Sequence, residues 1–157
     1  MAPYTERGWH AMLFGCLFSA GLFAQPINDS ILGKWCIDDK SAQFDFYRAG
    51  NEYRARLIPI ARPNMLDTKN PVDSLKGRKL HGATLAYRLS YNAKKNRWEG
   101  GRVYNPENGK TYFCTCMLVS GGARLQFSGF LGVSVFGQTR VWTRGACGNN
   151  NRKDRIH

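Results

Sequence analysis

The apolar residues of this chain alternate with polar ones and show no sustained three-to-four-residue recurrence, so its period of two confines it to β-strands. The spacing predicts strands over residues 33–38, 42–48, 53–60, 83–91, 97–104, 110–119, 124–130 and 138–144. Turn chemistry separates them: Asp39-Lys40, Ala49-Gly50-Asn51, Lys94-Lys95-Asn96 and Ser120-Gly121-Gly122 are reversals. The 105–109 segment (NPENG) is the best specified. Proline presets φ there, and Asn-Gly accepts the positive φ of a tight hairpin, here expected at Gly109. Eight short strands at this spacing make an antiparallel barrel or sandwich, and Gly100, Gly101 and Gly129 inside strands suit bulges or sharp bends. Residues 62–82, polar and punctuated by Pro and Gly, read as one long loop with a short helical turn near residues 73–77.

The first 24 residues read differently. Arg7 precedes an uncharged apolar run over residues 11–23, and Ala24 stands where polarity changes at Gln25-Pro26. That run has signal-peptide length and falls short of the roughly 20 residues that span a bilayer. The expected organisation is a signal peptide over 1–24, a β-barrel domain over 25–147 and a disordered basic tail over 148–157, with the mature protein in the periplasm. Cys16 within Leu13-Phe14-Gly15-Cys16 offers the alternative of a lipoprotein anchored through that cysteine, against which stand bulky Phe14 and the continuing Leu17-Phe18.

Cysteine and charge usage agree with export. Cys36, Cys114, Cys116 and Cys147 remain after residue 24, an even number suited to an oxidising compartment. Several pairings are possible. A barrel that brings its first and last strands together favours Cys36 with Cys147, whereas Cys114 and Cys116, two apart on one strand face, would bridge only with strain. Lys and Arg number 23 against 11 Asp and Glu, a net charge of +12, and loss of both Arg7 and Glu6 leaves that excess with the folded domain. A basic exported domain suits anionic lipid, lipopolysaccharide or glycan and peripheral membrane contact; compartment argues against nucleic acid despite the interleaving of Arg88, Arg97 and Arg140 with aromatics.

Several stretches resemble a bacterial secreted family, domain of unknown function 2147. They are G-G-R-V-Y-N-P-E-N-G-K-T-Y-F-C over residues 100–114, S-G-F-L-G-V-S-V-F-G-Q-T-R-V-W-T-R over 128–144, and G-K-W over 33–35 with F-Y-R over 46–48. N-P-V-D-S-L-K-G-R-K-L-H-G over 70–82 is similar to the family's N-P-D-x-x-L-R-x-R-x-L-x-G loop, with Val72 where the family has Asp. Asn105 also replaces an Asp, and Cys116 is additional. The resemblance implies an all-β fold, a single small antiparallel lipocalin-like β-barrel of about eight strands, and assigns no activity. If the loop acid carries a role in relatives, Asp73 would take it here, and Asn70, Asp73 and Arg78 are the loop candidates.

Catalytic signatures are missing from the sequence. His81 and the terminal His157 are the imidazoles beyond residue 24, and no H-E-x-x-H, G-x-S-x-G or P-loop occurs. Gly109-Lys110-Thr111 ends a hairpin and enters a strand, whereas a phosphate loop opens a helix. One C-x-C with so few imidazoles does not make a tetrahedral set, so neither metal nor cofactor is expected. The expected function is non-catalytic binding of a small apolar ligand or an anionic envelope component. The alternatives are a solid barrel working through its basic surface, and an envelope hydrolase. Residues placed inward are Trp35, Phe44, Phe46, Leu57, Leu85, Tyr87, Tyr104, Tyr112, Leu125, Phe127 and Trp142, with Trp35 and Trp142 expected to plug one end. The ligand candidates are Trp35, Phe46, Tyr87, Tyr104, Lys110, Tyr112 and Trp142.

Overall fold

The computed structural model describes residues 28–130 and 138–148; the proposed leader, Cys16 and residues 149–157 of the proposed tail lie outside them. The strands are β1 (Gly33–Cys36), β2 (Ala42–Ala49), β3 (Glu52–Pro59), β4 (Thr84–Asn92), β5 (Arg97–Asn105), β6 (Lys110–Val119), β7 (Arg124–Phe130) and β8 (Gln138–Arg144). Each pairs antiparallel with the next, and β8 returns to β1, giving a closed barrel. The expected strands are all present, with β1 ending earlier than the alternation suggested. The reading of residues 73–77 as a helical turn corresponds to a short 3₁₀ turn at Asp73–Leu75.

Closure falls on the shortest strand. β1 meets β8 at Trp35 opposite Arg144 and Cys36 opposite Thr143, whereas β2 and β3 are paired continuously from Ala42 to Ala49. Other interactions reinforce the seam. The Arg144 guanidinium lies 4.2 Å from the centre of the Trp35 ring and donates to the Ser30 and Gly122 carbonyls at 2.7 and 2.8 Å. The Trp35 indole N–H donates to the Ile31 carbonyl at 2.8 Å. Cys36 and Cys147 form a disulfide, as the first-and-last-strand argument expects.

Alternate side chains fill one half of the barrel. Ile31, Trp35, Phe46, Tyr53, Leu89, Trp98, Cys114, Cys116 and Leu125 are all buried in a single cluster. Each large side chain there contributes about 1.5–3 kcal/mol on removal from water. Gly101 is required in this half, because a Cβ would collide with Leu89 and the Cys114 Sγ. Toward the other end, Ala42, Leu57, Leu80, Leu85 and Tyr104 form a second cluster with Met65.

The 60–82 loop is held over that second end by a buried carboxylate. Asp67 is fully buried. It accepts hydrogen bonds from the Tyr104 hydroxyl at 2.5 Å, Asn70 Nδ2 at 2.7 Å and Arg78 Nε at 2.9 Å, and Arg78 Nη2 lies at 2.8 Å. Burial pushes the Asp67 carboxyl up, but the hydrogen bonds from Tyr104, Asn70 and Arg78 and the Arg78 charge outweigh it, and its pKa falls below the ordinary value. Burial and the same carboxylate push the Tyr104 hydroxyl up to about 12. A second anchor is the 105–109 turn. Gly109 has φ +70°, as its Asn-Gly sequence expects, and its Cα side faces the Lys69 carbonyl so closely that no Cβ fits.

Two outcomes follow from these anchors. Asp67→Asn is expected to cost about 2–3 kcal/mol at pH 7, because Arg78 loses its charge partner in a buried setting. The lowered Asp67 pKa means that this contribution is complete above the unfolded carboxylate value and disappears as pH falls through the folded one. Denaturation curves of the two proteins should therefore converge in acid. Gly109→Val is expected to destabilise by about 3 kcal/mol or more, combining left-handed strain with displacement of the Lys69 backbone; a melting temperature near that of the parent would refute the packed-turn account.

Candidate functional site

Beyond the first core cluster the barrel is hollow, and residues of the second cluster line the space. A cavity of about 590 Å³ opens at the end carrying the 60–82 loop, within the range of small-ligand sites. Three rings stand at its inner side. Trp142 stacks on Phe44 with centroids 4.9 Å apart and planes 7° from parallel, and on Phe127 at 4.5 Å and 11°. Since Phe44 is on β2, Trp142 on β8 and Phe127 on β7, this stack crosses the closing seam inside the barrel, with Phe44 in register with Trp35 of β1. Leu57, Leu85 and Val103 supply apolar wall, and Met65 and Ala61 enter from the loop.

The charged groups at this end are already matched. Arg62 Nη2 lies 3.1 Å from Glu107 Oε1, linking the loop to the 105–109 turn. Arg140 Nη1 lies 3.0 Å from Asp38 Oδ2, linking β8 to the segment after β1. The Tyr112 hydroxyl accepts from Asn108 Nδ2 at 2.7 Å, and Tyr104 is committed to Asp67. The rim charges therefore cancel in pairs, and the interior offers hydrocarbon and ring surface.

The ligand candidates divide on this geometry. Tyr104, Tyr112 and Trp142 line the cavity, as do Phe44, Leu57, Leu85 and Phe127. Trp35 and Phe46 are buried in the filled half, away from the cavity wall. Of the two tryptophans expected to plug an end, Trp35 is fully buried in the filled half and Trp142 stands between core and cavity. Tyr87 is half-buried outside the cavity, in register with Arg102. Lys110 is exposed at the start of β6 and does not reach the cavity. Among the loop candidates, Asn70 and Arg78 clasp Asp67, while Asp73 is exposed and pairs with Lys76 at 2.6 Å.

Asp67 was not singled out by the sequence. Its signal is local: an Asp three residues before Asn-Pro, positioned for a side-chain turn. The Arg62–Glu107 and Arg140–Asp38 pairs have no such signal, because 45 and 102 residues separate the partners.

Reactive chemistry is poorly served by the cysteines of the core. Burial pushes the Cys114 thiol up to about 12, and burial and the neighbouring Cys114 push Cys116 well above its ordinary value, so both stay protonated. Among the described residues, no three His, Cys, Asp or Glu side chains converge in a way that could hold a metal ion.

Comparison with known proteins agrees with this architecture. Protein HP1028 from the human pathogen Helicobacter pylori, described as belonging to the lipocalin family, has a solved structure that superposes with a TM-score of 0.65. It is 24% identical, and the match covers 73% of this chain and 82% of that one, a likeness of fold. No curated protein matches the chain. The profile of a family described as uncharacterised and conserved in bacteria, domain of unknown function 2147, matches residues 33–144. With most of its length inside that match, and with the closed lipocalin-like barrel the resemblance implied, the chain belongs to the domain of unknown function 2147 family.

Proposed function

We propose that the protein is an exported, non-catalytic binding protein that holds a small, uncharged, apolar ligand in the barrel cavity. The observation that carries this reading is a hollow half-barrel of about 590 Å³ whose ring-lined interior sits behind charges neutralised in pairs. Both ion pairs stand at the exposed rim, and among the described lining residues no unpaired cation faces the interior to attract an anion. An apolar body gains from the Trp142 stack and the Leu57, Leu85 and Val103 wall. The anionic component considered alongside it therefore does not suit this cavity.

Export rests on the disulfide, which is consistent with an oxidising compartment, and on the leader-like first 24 residues. The non-catalytic character rests on Asp67 and Tyr104, which hold each other in a structural network, and on thiols kept protonated in the core.

The neutral fluorophore N-phenyl-1-naphthylamine is expected to bind with one site per chain and to be displaced by apolar lipids. Val103→Trp, which adds a ring to the cavity wall, should weaken that binding at least about tenfold while melting stays cooperative. Unchanged affinity in Val103→Trp would place the fluorophore elsewhere and overturn the reading. Fractionation of the bacterial envelope with N-terminal sequencing should find a periplasmic chain beginning near Gln25; an unprocessed cytosolic chain would refute export.

A further inference from the structure

The outer wall carries a second, differently built site. On β5, Gly100 puts no side chain on the outer surface, Gly101 turns its Cα toward the core, and a cleft of about 610 Å³ lies over their backbone. Arg88 and Ser90 of β4 form one side of it, and Phe113 and Thr115 of β6 the other. At the edge of the cleft, the Arg102 guanidinium lies 3.6 Å from the centre of the Phe113 ring, which fixes its plane, and its Nη1 donates to the Gly101 carbonyl at 3.3 Å. Arg88 is exposed and has φ +60°, opposite Gly100 at φ +75°. A left-handed conformation at a non-glycine residue within a strand is costly, and it interrupts the ladder and re-aims the arginine side chain.

Charge in the cleft is one-sided. Among its described lining residues Glu99 is the carboxylate, and Arg97 at 2.7 Å and Lys95 at 3.5 Å already neutralise it. Arg88 and Arg102 have no carboxylate partner among the described residues. Arg56 on β3, 4.0 Å from the centre of the Tyr47 ring, extends the unpaired basic run across the wall.

We propose that this cleft binds an acidic glycan, with one sugar seated over Gly100 and Gly101 and its carboxylate or phosphate groups held by Arg88 and Arg102. The size of the cleft exceeds what a lone inorganic anion needs. A membrane suits the surface less well, because neighbouring strands of a closed eight-strand wall face directions roughly 45° apart. The recessed glycine floor also presents nothing to insert into a bilayer, whereas a flexible polymer can follow the curve. The disulfide argues for an oxidising compartment, away from nucleic acid. The site is separate from the barrel interior and does not depend on what the cavity holds.

End-labelled oligogalacturonate and a phosphate-bearing mannan oligosaccharide, titrated against the intact mature protein by fluorescence anisotropy, test the proposal. The arm that binds identifies the acidic group. Arg88→Gly keeps the left-handed backbone and removes the guanidinium, so it should bind about tenfold more weakly with an equal or higher melting temperature. Arg102→Gln should weaken binding similarly. Lys34→Ala, on exposed β1, removes the same charge and should leave affinity unchanged. Equal losses in Lys34→Ala and Arg88→Gly would reduce the effect to bulk charge and overturn the site. Failure of both glycans would also overturn it, as would a preference for vesicles of equal parts phosphatidylglycerol and phosphatidylcholine.

Discussion

The barrel exists because β1 and β8 meet, and the contact between them is the least extensive in the wall. Two antiparallel edges joined only at Trp35–Arg144 and Cys36–Thr143 would leave an open, aggregation-prone sheet without further support. Three different interactions supply it. At the base, Arg144 covers the Trp35 ring and ties β8 to carbonyls of the preceding turn and of the β6–β7 connection. Near the end of β1, the Cys36–Cys147 bond joins residues 111 apart, removing about 4–5 kcal/mol of unfolded-chain freedom on the loop-closure account. On the inner side, the Phe44–Trp142–Phe127 stack links β2 to β8 and β7 across the seam by aromatic contact.

That stack marks where the cavity begins. In the filled half, the cross-barrel space is taken by Trp35, Trp98, Phe46 and Tyr53, and even a methyl group at Gly101 is excluded. Past the level of the stack, the interior positions are Ala42, Leu57, Leu85 and Val103, which are too small to meet across the barrel. The loop over residues 60–82 then crosses the end and contributes only Ala61, Arg62 and Met65 to the cavity lining, because Asp67 and Gly109 hold its backbone against β5 and the β5–β6 turn. A buried carboxylate is costly by itself, and it is kept only because Tyr104, Asn70 and Arg78 supply donors from two separate elements.

Strand positions, turn types and the Cys36–Cys147 pairing were legible because they depend on local alternation, on Asn-Gly and Gly-Gly chemistry, and on the proximity of first and last strands. The alternation also identified most inward residues. It could not say how far along the barrel each one lies, so Trp35 and Phe46 were grouped with Trp142 although only Trp142 reaches the cavity. The loop motif singled out Asn70, Asp73 and Arg78, of which Asn70 and Arg78 bond Asp67, but Asp67 itself lay outside the quoted pattern. Rim ion pairs such as Arg140–Asp38 depend on closure itself and leave no short-range trace.

The excess of 12 positive charges takes its meaning from where it is located. If it lined the interior, the cavity would select anions; there, however, Arg62 and Arg140 are matched by Glu107 and Asp38. Among the described residues the arginines without carboxylate partners are Arg56, Arg88, Arg102, Arg124 and Arg144, none of which lines the cavity. The first three stand on the outer faces of β3, β4 and β5, two of them laid on aromatic rings. Strand alternation forces this separation, since successive residues of one strand point to opposite sides of the wall. Val103 faces an apolar interior while Arg102 beside it faces water, so selection for an apolar pocket and for a cationic surface can proceed on the same strand without conflict. An apolar ligand inside and an acidic polymer outside are thus compatible occupants of one thin wall, each recognised by its own set of alternate residues.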